Sequence, residues 1–124
     1  MQGVENQVTV FKPDMNEGPR LTGESAEEYV SRLSREKAEH SIAQGMRGTI
    51  LTADTTVVLD DEILGKPDSV MRAREMLEML RGRVHHVLTG ITVLRTDEGG
   101  MLSAVRSTAV HVREYSKSEM EEYL

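Results

Sequence analysis

The chain contains no cysteine and no tryptophan, and its 124 residues include one phenylalanine and three tyrosines. Without cysteine there is no disulfide, no thiolate nucleophile and no cysteine-ligated metal. With aromatics at 3%, a surface that stacks successive bases of a single strand has almost nothing to be built from. Cations are also in deficit. Fifteen Lys and Arg face 21 Asp and Glu, for a net charge of −6, whereas a binder of polynucleotide or anionic bilayer needs the opposite balance. No apolar run approaches the roughly 18 residues of a membrane span, and MQGVENQVTV lacks the basic-then-apolar pattern of a secretory signal. The expected partners therefore include no nucleic acid polymer and no membrane, and the expected location is the cytoplasm. A single phosphorylated small molecule, held by a few local cations, stays compatible with this balance.

At 38% hydrophobic and 29% charged, the composition is that of one folded domain with an aliphatic core, filled in part by the eight methionines. Val8 to Phe11 reads as a short strand, and Lys12 to Pro19 as a loop punctuated by Pro and Gly. Ser25 and Glu28 have the spacing of a capping box, opening a helix over about 25–44. Its stripe runs through Tyr29, Leu33, Lys37, Ala38 and Ile42, and Gly45 is placed to end it. Residues 49–60 read as a largely buried strand. Asp60-Asp61 reads as a turn, and Glu62-Ile63-Leu64 as a short return. Asp68 or Ser69 caps a second helix with a buried stripe of Val70, Ala73, Leu77 and Leu80, and Gly82 stops it. Residues 84–95 and 101–113 form a hairpin around Thr96 to Gly100. Ser116 and Glu119 repeat the capping-box spacing just before the last residues.

Three positions break the pattern around them. Asp54 lies mid-strand, on one face with Thr52 and Thr56, while Leu51, Ala53, Val57 and Leu59 occupy the other. A buried carboxylate must be paired, metal-bound or protonated, so this polar face reads either as the wall of a cleft or as a face meeting solvent. Lys37 sits inside an apolar stripe, as a site cation or as a side chain whose methylenes cover the core edge. Lys66, between Gly65 and Pro67, is presented rigidly to a phosphate or is merely solvated. His85 and His86 alternate across their strand, so only one can face a given site. No HExxH pair, P-loop, GxGxxG or GxSxG occurs.

Taken together, residues 53–60 (ADTTVVLD), 62–67 (EILGKP) and 82–90 (GRVHHVLTG) resemble the Maf family of septum-formation-inhibitor-like nucleoside triphosphate pyrophosphatases. Asn16-Glu17, Gly23-Glu24-Ser25 and Arg35-Glu36-Lys37-Ala38 fall upstream in the family's order. The alternative of an unrelated α+β regulatory domain would leave this order a coincidence. The resemblance implies an α/β fold, a mixed sheet flanked by helices, with two lobes around a central cleft, related in architecture to inosine triphosphatases. It implies hydrolysis of a nucleoside triphosphate, dTTP or UTP, to monophosphate and pyrophosphate with a divalent metal, Mg or Mn. By position, Glu17, Lys37, Asp54 and Lys66 match the family's catalytic residues. Glu17 and Asp54 are then metal ligands, and Thr55, Lys37 and Lys66 contact substrate. Whether Asp54 serves as base or as metal ligand stays open at this level.

The family's Ser-x-Ser-Pro-Arg-Arg motif and its Asp-Lys-Ala-Gly segment do not occur. The expectation is one Maf-like domain over 1–124, truncated at both ends. An opened sheet edge then favours a homodimer. Without the motif's arginines, turnover is expected to be about a hundredfold or more below that of a full-length parent, unless Arg20, Arg32 or Arg35 replaces them. The alternative reading is a non-catalytic Maf-like remnant that binds nucleotide or protein.

Overall fold

The computed structural model describes residue 10 and residues 18–124; the expected strand over 8–11 lies, apart from Val10, outside the described residues. In chain order the elements are α1 (Ala26–Ala43), β1 (Thr49–Leu59), β2 (Glu62–Leu64), α2 (Val70–Leu80), β3 (Val84–Arg95), β4 (Gly100–His111) and α3 (Lys117–Tyr123).

Helix α1 begins where the sequence places it. The Ser25 hydroxyl accepts the Glu28 amide, and the Glu28 carboxylate accepts the Ser25 amide. It ends at Gly45, whose φ of 90° is open to glycine and costly for other residues. The four strands form one sheet in the order β2-β1-β3-β4. Every neighbouring pair is antiparallel. The α/β expectation holds, but among the described residues the sheet is antiparallel and not mixed. The reason lies in the connections: β1 turns directly into β2 and β3 into β4, and α2 returns the chain antiparallel to β1. Asp60 and Asp61, with φ of 50° and 64°, make the tight turn between β1 and β2. Two successive positive φ values match the right-handed twist of the strands.

Helix α1 lies across β1 and β3 and buries two apolar clusters. Ala26 and Val30 meet Leu88, with Tyr29, Val58 and Ile63 around them. Farther along, Ala38 meets Ile50 and Leu94, with Ile42 and Met46. The strip between the clusters is polar: Ser34, Thr92 and Asp54 are all buried there. The Thr52, Asp54 and Thr56 face is thus covered by the helix instead of meeting solvent. On the face behind it, Leu51 is 69% exposed and Leu59, at the end of β1, is buried.

Ser69, one of the two expected residues, caps the second helix. The expected buried stripe is not found: none of the helix's residues is fully buried, and Val70 is exposed. It lies at the periphery against α3, so its stripe is only half covered. Helix α3, although short, is docked. Met120 is buried, and Arg74 grips the Glu121 carboxylate through two hydrogen bonds of 2.6 and 2.9 Å. The Tyr115 hydroxyl donates to the Leu77 carbonyl.

On the face away from α1, His85 is 7% exposed, and its Nδ1 has no partner among the described residues. Burial, reinforced by His86, holds its pKa below the ordinary 6.5. The unfolded chain takes up this proton before the folded chain does. The stability it contributes is complete above the unfolded value and is lost as pH falls through it toward the lowered folded value. Thermal midpoints measured from about pH 7.5 down to about pH 5.5 should fall, and fall less steeply in His85→Leu. Equal slopes would assign the titration to another group.

Candidate active site

Asp54 stands at the centre of β1, in register with Gly90 of β3. Its exposure is 8%, so its charge requires compensation. Lys37 supplies it: Nζ donates to Asp54 Oδ1 at 2.7 Å and to the Ala53 carbonyl at 3.3 Å. The side chain that interrupts the apolar stripe of α1 thus turns its ammonium onto the sheet. Desolvation of the two charges is offset by a short hydrogen-bonded contact, and removing Lys37 leaves the more deeply buried carboxylate to bear that cost. The Lys37 side chain retains 21% exposure. The pair therefore lies at the margin of the covered strip, where a ligand can reach it. Lys37 thereby ties the carboxylate and the backbone of β1 to α1 through one ammonium.

The other expected site residues are placed differently. Thr55 points to the opposite face, exposed, with its hydroxyl 3.0 Å from that of Thr89. Lys66 lies two residues beyond the end of β2 and is exposed. Glu17 lies outside the described residues. Arg32 is committed locally, with 2.7 and 2.9 Å contacts to Glu24 and Glu36 and its guanidinium over the Tyr29 ring. Glu24, bonded to Arg32, is held below the usual carboxylate range. Arg35 donates to the Ser31 hydroxyl and Arg20 to the Asp61 carbonyl.

A cleft of about 740 Å³ opens at the N-terminal end of α1, bordered by Arg20, Glu27, Asp61, His86 and Ser107. His86 faces this cleft and His85 does not, as alternation requires. Neither Lys37 nor Asp54 lines it. Sequence reasoning missed the polar strip around Asp54. The signal was available in Ser34 and Ser41, seven residues apart on the inner face of α1, and in Thr92 at mid-strand.

No group of three His, Asp or Glu that could hold a metal occurs among the described residues. The donor set that the described residues supply at Asp54 is one carboxylate bonded to an ammonium. It suits an ion such as Mg²⁺ that keeps its waters and is carried mainly by substrate phosphates.

The Maf-like protein family model matches residues 1–124. The chain belongs to the Maf family. It is 36% identical over 115 residues to the dTTP/UTP pyrophosphatase of Dictyoglomus thermophilum, covering 93% of this chain and 60% of that protein. It is 43% identical over 116 residues to the dTTP/UTP pyrophosphatase of Myxococcus xanthus, covering 93% of this chain and 57% of that protein. It is also 36% identical over 116 residues to the 7-methyl-GTP pyrophosphatase of Pseudomonas syringae, with 94% and 60% covered. The chain thus spans about three fifths of the length of these Maf relatives. No helix among the described residues is long and apolar enough to cross a membrane.

Replacing Lys37 with Met should strand the Asp54 carboxylate in this Maf site and lower stability by about 3 kcal/mol. Adding Asp54→Leu should recover most of that loss, because no uncompensated charge is then buried. Urea midpoints of the single and double variants decide it; a harmless Lys37→Met would mean that the pair carries no load in the fold.

Proposed function

We propose that this Maf-family chain carries the reaction centre of a nucleoside triphosphate pyrophosphatase acting on dTTP or UTP. The observation that carries the reading is the buried Lys37–Asp54 pair, at the positions that the family resemblance marks as catalytic. Relatives named dTTP/UTP pyrophosphatase support the substrate, and the 7-methyl-GTP relative supplies the competing one.

In this reading water attacks the α-phosphorus. The bond to the bridging oxygen of the β-phosphate breaks, and nucleoside monophosphate and pyrophosphate are released. Phosphoryl chemistry of this kind is mostly positioning and charge neutralisation. Asp54 takes the proton of the attacking water, and the Lys37 ammonium faces the charge that builds on the phosphate. Lys66 meets the outer phosphates from the segment after β2. A divalent ion, Mg or Mn, supplies further neutralisation when bound with the nucleotide; Asp54 and Glu17 would hold it. The chain works in the cytoplasm as a homodimer. Support for the dimer comes from β4, which among the described residues pairs on one side only, with β3. Eleven of its twelve residues are exposed, and its one Lys, Arg, Asp or Glu is Arg106. Such an edge lacks the lysines and prolines that usually prevent strand addition.

The test is pyrophosphate release from dTTP, UTP and 7-methyl-GTP with excess Mg²⁺, with the mass of the same sample measured by light scattering. Turnover of dTTP or UTP should exceed that of 7-methyl-GTP and fall at least about a hundredfold in Asp54→Asn. That variant should keep its thermal midpoint within a few degrees, because the released Lys37 can turn to solvent. Binding without turnover would replace the enzyme reading by a nucleotide-binding module. The mass of a single chain would remove the homodimer.

A further inference from the structure

Asp54 has no side chain opposite it in the sheet, because its register partner is Gly90. Gly90 is buried and is not among the positive-φ glycines. Backbone conformation therefore does not demand glycine there; space does. A β-carbon at Gly90 would lie 2.9 Å from the Ser31 nitrogen and closer still to the Val30 carbonyl group. Both belong to the backbone of α1, two turns before Lys37. The backbone of the helix would have to retreat by about an ångström to reach ordinary van der Waals separation.

One turn on, the same helix is tied down by hydroxyls. Ser34 and Thr92 are fully buried. The Ser34 hydroxyl donates to the Ser31 carbonyl at 2.8 Å and lies 2.7 Å from the Thr92 hydroxyl, which lies 2.8 Å from that of Ser103. A hydroxyl has one hydrogen. With Ser34 committed to Ser31, Thr92 must donate to Ser34 and Ser103 to Thr92. The chain Ser103, Thr92, Ser34, Ser31 thus runs in one direction from β4 through β3 into α1. On the neighbouring strand, the Thr52 hydroxyl donates to the Ser34 carbonyl. The next contact along α1 is Lys37 on Asp54.

We propose that Gly90 and the Thr92–Ser34 hydroxyl link are positioning residues: together they set the distance between α1 and the sheet at which Lys37 reaches Asp54. The assignment deepens, and its bearing on catalysis rests on, the reading of that pair as the reaction centre. Helix and sheet meet here without an intervening layer of large side chains. A change of one methyl group at Gly90 is therefore transmitted to an ion pair two helical turns away.

The test is a double-mutant cycle for Lys37→Met and Asp54→Asn, read from chemical unfolding in the full chain and repeated with Gly90→Ala. Dissociation of the pair should reduce the Lys37–Asp54 coupling by about tenfold in the folding equilibrium, and dTTP turnover should fall with it. Met120→Val, which loosens the α3 contact, should lower stability and leave the coupling intact. If Gly90→Ala does not fold, Thr92→Val and Thr92→Ser decide the matter. The valine should lose the coupling and the serine, which keeps the hydroxyl, should retain it. An unchanged coupling in Gly90→Ala, or equal coupling in the two Thr92 variants, overturns the proposal. Loss of coupling in a chain that hydrolyses no nucleotide upholds the positioning role and overturns the catalytic reading instead.

Discussion

The contact between Lys37 and Asp54 is the constraint around which this domain is arranged. A carboxylate at the centre of a covered strand is tolerable only if a cation reaches it, and a cation can reach it only if a helix lies close over the sheet. The two apolar clusters under α1, one at Leu88 and one at Leu94, fasten the helix on either side of the polar strip. Burial there is non-directional and would allow the helix to slide or lift. The hydroxyl contacts at Thr92 and Thr52 and the bare backbone of Gly90 remove that freedom. The apolar contacts supply most of the stabilisation, and the polar ones fix where the charge pair stands.

Much of this was legible in the sequence. Both capping boxes, the glycine that ends α1, the turn at Asp60-Asp61 and the long hairpin follow from local chemistry, and the structure contains them. The three residues that broke their local pattern, Asp54, Lys37 and Lys66, were visible for the same reason: each is polar where its neighbours are not. For Lys37 and Asp54, 17 residues apart in sequence, the structure brings the two anomalies into one contact.

What the sequence did not disclose was which face of β1 the helix would cover. Alternation places Leu51, Ala53 and Val57 on one side and Thr52, Asp54 and Thr56 on the other, and the usual preference buries the apolar side. Here the helix brings its own polar inner face, Ser34, Lys37 and Ser41, and polar meets polar across the interface while Leu51 stays open. Neither face alone reveals this match; it exists only in the pairing of two elements. The same limit applies to α2, whose apolar stripe was expected to be buried and is only half covered, by the narrow surface of α3. Membership of the Maf family gives this pairing a functional setting, and the geometry gives it a physical one: an ammonium that bonds a carboxylate and remains partly open to an anionic ligand.

The central claim is that this ammonium is where the triphosphate arrives. The most direct measurement is a nuclear magnetic resonance titration of the lysine side-chain signals with a non-hydrolysable dUTP analogue bridged by an α,β-methylene group. The account predicts a saturating shift of the Lys37 ε-methylene and ammonium resonances, lost in Asp54→Leu, where the ammonium is no longer held against the sheet. Saturable binding of the analogue that leaves Lys37 unmoved, with shifts confined to other residues, would contradict it.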